Sequence, residues 1–303
     1  MCGRAPEANK GVAEVHKIRF DGQVALITGA ARGIGHAYAR LLAERGATVV
    51  IHDIGADSDG QGCDPTVAEG AADALRGAGW QASAAHDAID TRDGCHGLVQ
   101  SVLAAHGRID MLIHNAGWVG YQSIETLEPA FLQRALALQV EAPLWLAQAA
   151  WPAMVAQTHG RILFTTSDRA LYPQYALKGL TAYAASKIAQ VGIMNVLALE
   201  GADHNICVNA ISPVAKTRMW GVEDEPDELH PEAIAPGAIW LVSRDCRESG
   251  WVLRASNGQF HAVRPAEASG VDYPRDLRAV VADTPEAVAA AWSRIAVSEP
   301  ERR

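Results

Sequence analysis

The stretch "QVALITGAARGIG", Gln23 to Gly35, constrains the fold more than any other part of the chain. A short apolar run, Gln23 to Thr28, ends in glycine, and Ala, Leu and Tyr then recur at helical spacing from Ile34 to Arg45. The segment reads as strand, turn, helix. The alternation continues through "ATVVIHD", a helix-like Val67 to Gly77, "WQASAAHD", a helix from Arg92 to His106, and "IDMLIHNAG". A long helical stretch, 129–158, precedes "GRILFTTS", a helix from Tyr183 to Glu200 precedes "ICVNAISP", and "SGWVLRASNG" supplies a last strand. Seven strands with right-handed crossovers predict an α/β fold with a doubly wound parallel sheet. One principal domain, 19–265, is expected, after an N-terminal tail (1–18) and before a C-terminal extension (266–303).

Composition narrows the function classes. At 303 residues, 49% apolar and 20% charged, the chain has the content of a folded protein with a large core. A net charge of -9 without a basic run argues against nucleic acid as a partner. The five cysteines, Cys2, Cys63, Cys95, Cys207 and Cys246, form no C-x-x-C pair, which fits neither a disulfide framework nor a zinc knuckle. The first twenty residues carry Arg4, Glu7, Lys10, Glu14 and Lys17, unlike a secretory signal, and "ERR" is not a peroxisomal address. The uncharged run 142–158 contains Pro143, Gln148, Pro152 and Gln157, a poor membrane span. A cytoplasmic protein with no membrane partner is expected.

Where the first strand gives way to the first helix, glycines let backbone N–H groups approach a pyrophosphate at the helix N-terminus. This assigns Gly29, Arg32, Gly33, Ile34 and Gly35 to a dinucleotide; the bland reading is a purely structural turn. Asp53 ends the second strand, where a carboxylate accepts hydrogen bonds from ribose hydroxyls and repels a 2'-phosphate, which favours NAD over NADP. No Arg or Lys is expected beside it to receive a 2'-phosphate, and a solvated strand-end Asp is the alternative.

"YAASK" places Tyr183 and Lys187 four positions apart, on one helix face. A positive charge at about 4 Å, at an effective dielectric near 20, contributes up to roughly 4 kcal/mol, about three units off a tyrosine pKa of about 10. The pair therefore promises a phenol acidic enough for proton exchange with an alcohol, unless it is an ordinary surface pair.

"TGAARGIG", "HNAG", Ser167 closing "ILFTTS", "YAASK" and "VNAISP" follow the order and spacing of the short-chain dehydrogenase/reductase family, which the chain resembles. The resemblance implies a Rossmann sheet and hydride transfer with NAD, on an apolar alcohol or ketone. It implies that Ser167 polarises the reacting oxygen, Tyr183 exchanges its proton, and Lys187 binds the nicotinamide ribose and acidifies Tyr183. Asp87 and Ala88 match the adenine contact, Asn115, Ala116 and Gly117 match the stretch beside the coenzyme, and Val214 and Thr217 match the nicotinamide side. Longer stretches, among them "AWPAM", "LALEGADHNICVNAISPVAKTRM" and "TPEAVAAAWSRI", resemble the branch typified by the (3R)-hydroxyacyl-CoA dehydrogenase unit of peroxisomal multifunctional enzyme type 2 and its bacterial relatives. That branch implies a 3-hydroxyacyl-CoA or hydroxysteroid-like substrate, a homodimer or homotetramer, and a C-terminal segment beside the active site.

Three departures stand out. Gln139 occupies the position where the family carries a fourth catalytic residue, Asn. Sixteen positions separate Ser167 from Tyr183, where thirteen is common, and Val214 replaces a frequent glycine. These leave a catalytically silent NAD-binding regulatory protein as the alternative. No metal is expected: His52, His86, His106 and His114 fall at element ends, without an H-x-x-x-H pair. Trp118, Tyr172, Tyr175 and Trp220 are candidates for the pocket wall or for the core. The acidic stretch "GVEDEPDELHPE" is expected at the lid, with no cationic handle for a CoA phosphate.

Overall fold

A computed structural model describes residues 17–57, 60–217, 228–267 and 269–296. Residues 1–16 of the expected tail and most of the acidic stretch, with Trp220, lie outside them. The chain divides into two compact units, Met1–Val263 and Arg264–Arg303. In the second, the described structure is chiefly one helix, α9 (Pro285–Ile295), whose N-cap Thr284 accepts from Ala287 N–H.

In the first unit the strands are β1 (Val24–Thr28), β2 (Thr48–His52), β3 (Ala82–Ala85), β4 (Met111–His114), β5 (Gly160–Thr165), β6 (Ile206–Val214), β7 (Val252–Ser256) and β8 (Gln259–Val263). The sheet order is β3-β2-β1-β4-β5-β6-β7-β8, parallel through β7. The seven parallel strands match the expectation, and β8 adds an antiparallel edge. The signal for that hairpin stands in "SNGQ". Asn257 and Gly258 both take positive φ, 47° and 74°, as a two-residue hairpin turn requires.

The helices are α1 (Gly33–Glu44), α2 (Pro65–Gly77), α3 (Arg92–His106), α4 (Pro129–Leu136), α5 (Ala142–Gln157), α6 (Asp168–Leu171), α7 (Thr181–Glu200) and α8 (Ala235–Leu241). Alternate residues of β1 enter opposite cores. Ala25 and Ile27 pack with Tyr38 and Leu42 of α1, whereas Val24 and Leu26 pack with Leu98 of α3 and Leu146 of α5. A strand covered on both faces must read as an unbroken apolar run, as "VALIT" does. Helix α7 alone, among the described helices, is long and apolar enough to cross a membrane by composition; its Ser186, Lys187 and Gln190 are buried.

The long helix expected over 129–158 is interrupted. Residues Ala137–Glu141 form a π-helical turn between α4 and α5. Pro143 has no N–H for the carbonyl of Gln139 four residues earlier, so a regular α-helical ladder cannot run through this point. Ala142 N–H reaches back five residues to Ala137 O, which frees the Leu138 carbonyl to bond His114 Nε2 at 3.1 Å.

Candidate active site

Strand β1 has β2 on one side and β4 on the other, so the chain reverses direction across the sheet at β1. A crevice opens there, beyond the carboxyl ends of the strands. A Cβ on Gly29 (φ 62°) would stand 2.9 Å from Ala116 Cα, and Asn115 Nδ2 donates to Gly29 O at 2.9 Å. The Thr28 hydroxyl oxygen accepts from the N–H groups of Asn115 and Ala116. The glycine turn and the "NAG" turn are thereby held as one surface. The N-cap of α1, Arg32, makes no side-chain cap, whereas Asp64, Thr91 and Thr284 cap α2, α3 and α9. The first N–H groups of α1 thus face the crevice without a side-chain acceptor, which suits an anionic ligand.

The crevice is part of a cavity of about 1540 Å³, larger than the roughly 300–1,000 Å³ of a pocket for one small ligand. Gly29, Arg32, Gly33, Ile34, Asp53, Asp87 and Ala88 line one end; Asn115, Ala116, Gly117, Val214 and Thr217 line its middle. Ser167, Tyr183, Lys187 and Gln139 line it too. Gly35 alone among the expected site residues does not. It lies under the turn, where a Cβ would strike Gly29 O and stand 2.6 Å from Asn115 Nδ2, so its role is close packing.

Asp53 is 9% exposed. Its carboxylate accepts from Ala31 N–H (3.2 Å) and Gly55 N–H (2.9 Å). The expectation that no cation adjoins Asp53 is corrected. Arg32 Nη2 lies 3.8 Å from Asp53 Oδ1, brought there because the turn folds back over the end of β2. His52 Nε2 bonds the Asp87 carbonyl at 2.8 Å and ties β2 to the segment after β3.

At the other end, Ser167 closes β5 and caps α6, its Oγ accepting from Arg169 N–H at 3.2 Å. Lys187 is 3% exposed, and its Nζ donates to Thr165 O at 2.8 Å. Thr166 Oγ1 donates to Lys187 O, and Gln190 Oε1 accepts from Thr165 N–H, so α7 is stitched to the end of β5. Burial pushes the Lys187 amine down to about 7. Its Nζ lies 5.8 Å from the centre of the Tyr183 ring.

The acidified phenol expected from that amine is not what the protein's own groups produce. Burial raises the Tyr183 pKa above its ordinary value, against the lowering effects of a hydrogen bond with Ser167 and of the Arg169 charge. The sequence estimate treated the phenol as solvated and the lysine as fully charged; burial overturns both premises.

Gln139 is fully buried in the π turn, and neither amide atom has a hydrogen-bond partner. A Cβ on Gly117 would stand 3.4 Å from both Gln139 Oε1 and Lys187 Nζ, so amide and amine flank the same glycine. His114 anchors this group: Nε2 bonds Leu138 O and Nδ1 bonds the Thr28 hydroxyl, while burial lowers its pKa to about 3. The neutral ring must carry its proton on Nε2, since a carbonyl only accepts.

Of the aromatic candidates, Trp118 and Tyr175 line the cavity, with Tyr121 and Leu177. Trp118 packs edge-on against Phe131 and beneath the guanidinium of Arg134. Tyr172 does not line it and stacks with Arg254 instead. Sequence reasoning missed Arg169 and Arg254, both on the wall near Ser167. Arg254 was legible in principle, because an arginine inside the apolar strand "VLRAS" demands a partner. That partner is Asp168, through bonds of 2.8 to 3.1 Å. Among the described residues no three or more His, Cys, Asp or Glu are grouped to hold a metal.

Residues 23–227 match the short chain dehydrogenase family. Peroxisomal multifunctional enzyme type 2 of Mus musculus is 34% identical over 286 residues, covering 92% of this chain and 37% of that protein. The chain therefore spans less than half the length of that relative. A short chain dehydrogenase from Mycobacterium avium superposes with a TM-score of 0.76 at 28% identity, covering 91% of this chain and 95% of that one. A 7 alpha-hydroxysteroid dehydrogenase, complexed with NADH and 7-oxo glycochenodeoxycholic acid, superposes with a TM-score of 0.71 at 30% identity, covering 79% and 95%.

Proposed function

The chain belongs to the short-chain dehydrogenase family and is an oxidoreductase acting on CH–OH groups; from that premise we propose that it interconverts a bulky, largely apolar secondary alcohol and its ketone with NAD. The observation that carries this reading is the convergence of Ser167, Tyr183 and Lys187 on a cavity that also contains the glycine turn. The residues fit a dinucleotide: a glycine turn packed too closely on Asn115 and Ala116 to bear a Cβ at Gly29 or Gly35, an α1 N-terminus without a side-chain cap, and a carboxylate at the end of β2. Bound there, NAD would supply the hydride acceptor or donor at its nicotinamide ring.

The remaining chemistry is done by side chains. Ser167 donates a hydrogen bond to the substrate oxygen and fixes it beside the phenol. Tyr183 gives that oxygen a proton when a ketone is reduced and takes it back when the alcohol is oxidised. Its raised pKa keeps the phenol protonated at neutral pH, the form that serves reduction. Lys187, with a pKa of about 7, sits where it can hold ribose hydroxyls or pass a proton onward, and Gln139 offers its free amide to the same relay.

Asp53 supports NAD by repelling a 2'-phosphate, and Arg32, already engaged with Asp53 and the Ala56 carbonyl, is not free to receive one. The apolar wall of Trp118, Tyr121, Tyr175 and Leu177 supports a 3-hydroxyacyl or hydroxysteroid-like body. A homodimer or homotetramer in the cytoplasm completes the proposal. The first is supported by Ile188, Val196 and Leu199, exposed on α7.

The test follows reduced-nicotinamide absorbance across a panel of hydroxyacyl-CoA and hydroxysteroid substrates, with NAD affinity measured by calorimetry. Turnover in the wild type, lost by at least a thousandfold in Tyr183→Phe with NAD binding kept, is the expected result. Binding without turnover on every alcohol tried would refute it.

A further inference from the structure

We propose that Arg169 is a specificity-determining residue that selects substrates carrying an anionic group near the reacting carbon, of which a carboxylate is the simplest. The proposal rests on the dehydrogenase reading for the location of the reacting carbon. It stands independently on the charge pattern of the wall.

Arg169 lies two residues after Ser167, and its own N–H donates to Ser167 Oγ at 3.2 Å. The root of its side chain is therefore fixed relative to the hydroxyl that would hold the substrate oxygen. The residue is half-buried and lines the cavity. No carboxylate pairs with it among the described residues, and its one side-chain bond is a long 3.5 Å contact with Tyr175 O.

The nearest acid is consumed elsewhere. Asp168 takes Nε and Nη2 of Arg254, and its Oδ1 also accepts from the Ser212 hydroxyl at 2.8 Å. Arg254 is in turn spread over the ring of Tyr172 at 4.5 Å. The other carboxylates on the wall, Asp53, Asp57, Asp87 and Asp90, follow β2 and β3 at the opposite end of the cavity. Among the described residues, the Ser167 end thus carries two guanidiniums against one carboxylate, beside an apolar surface.

An unpaired cation in a partly desolvated pocket is unfavourable unless a ligand supplies the anion. A guanidinium fork matches carboxylate or phosphate through two parallel bonds. Arg169 shares the cavity wall with Tyr183 and its backbone is tied to Ser167 Oγ, so the anion it reads belongs to the part of the substrate beside the carbinol.

The experiment measures binding of 3-hydroxydecanoate, its methyl ester and 3-hydroxydecanoyl-CoA to the full chain, with coenzyme present, by calorimetry. It uses the wild type, Arg169→Gln and Arg169→Lys. The wild type is expected to favour acid over ester by about 10- to 100-fold, the range of a charged hydrogen bond. Arg169→Gln brings that ratio to near one, and Arg169→Lys keeps part of it. A preference that shrinks in high salt supports the same conclusion. If Arg169→Gln instead weakens only the thioester, the anion read is a CoA phosphate far from the carbinol, and the proposal is overturned. A wild-type ratio near one, or a ratio unchanged in Arg169→Gln for both anionic ligands, overturns the proposal. Turnover is read separately: a collapsed ratio in a protein that oxidises no alcohol sinks the dehydrogenase reading and leaves this one standing.

Discussion

Replacing Lys187 with Met should make the protein more stable near neutral pH while removing its activity. The amine is buried, with a folded-state pKa of about 7 against an ordinary 10.5. Between those values the unfolded chain binds one more proton than the folded chain, so stability rises with pH across that window. Below the window the burial penalty is present in full. At about pH 7 it amounts to roughly 4 kcal/mol, and by about pH 9 to roughly 2 kcal/mol. Methionine fills nearly the same volume without the charge, and loses the 2.8 Å bond to Thr165 O, about 1.5–3 kcal/mol for a charged donor. The balance at about pH 7 is a gain of about 1–3 kcal/mol in Lys187→Met, a few degrees in Tm for a domain of this size. That gain should fall by about 2 kcal/mol on moving to about pH 9. The assay is urea unfolding of both proteins at the two pH values, at one protein concentration and without coenzyme, beside a turnover measurement. A variant less stable than wild type at neutral pH, or a difference that ignores pH, would refute the reasoning.

Other consequences can be measured with the same variants panel. Gly35→Ala forces the glycine turn away from Asn115 and should lower stability by about 1–3 kcal/mol and NAD affinity tenfold or more. Gly97→Ala, in exposed α3 with nothing within 4 Å, should instead gain about 0.5–1 kcal/mol; like effects in both would remove the packing argument. Gln139→Leu deletes two unpartnered buried amide atoms and should stabilise by about 1–3 kcal/mol while kcat falls; unchanged kcat would take Gln139 out of the site. Wild type should bind NAD at least tenfold tighter than NADP, and Asp53→Ala, which releases Arg32, should narrow that gap; titration with each coenzyme decides. His114, with a pKa of about 3 against 6.5, should cost about 2 kcal/mol of stability on acidification from about pH 7 to pH 5. The unfolded chain binds the extra proton there, and urea midpoints for wild type and His114→Asn should diverge at neutral pH and converge in acid.

The parts of the molecule legible in the sequence are those where one local pattern decides the outcome. "VALIT" is apolar throughout because both of its faces are covered, and Arg92–His106 begins and ends where Thr91 caps it and Gly107 takes φ 72°. The pairing of Tyr183 with Lys187 was legible from their spacing along α7, whereas Ser167 was legible only through the family resemblance. What escaped depends on proximity in space. Arg32 is far from Asp53 along the chain but adjacent across the turn. The β8 hairpin was readable from Asn257 and Gly258, yet an exposed strand lacks the apolar run used to find the others. The π turn followed from Pro143, whose missing N–H was read only as an obstacle to a membrane helix. The pKa of Tyr183 depends on desolvation, which no spacing rule contains.

Satisfaction of buried polar groups separates structural from functional residues better than residue type does. Arg161 is fully buried without a carboxylate, yet its five N–H donors meet the carbonyls of Ser243, Gly160, Asn205 and Cys246 at 2.8 to 3.1 Å and of Arg244 at 3.5 Å. It is a clamp holding the ends of β5 and β6 to the loop after α8, with no donor left over for a ligand to claim. Tyr38, by contrast, has a buried hydroxyl without a partner, but it lies in the core with Leu42 and does not line the crevice. Both conditions hold together at Arg32 Nε, His52 Nδ1 and both amide atoms of Gln139, each in a residue of the cavity wall. An unpaired buried donor or acceptor raises the energy of the folded state by about 1–3 kcal/mol, and a sequence retains that penalty most readily where binding relieves it. These positions fall at the glycine turn, the end of β2 and the π turn, which together trace the crevice from the Asp53 carboxylate to the buried Gln139 amide. Ligand binding should therefore stabilise this protein by more than mass action on apolar contacts alone would give, and most of the excess should vanish in Gln139→Leu if the relay end is the part that binding satisfies.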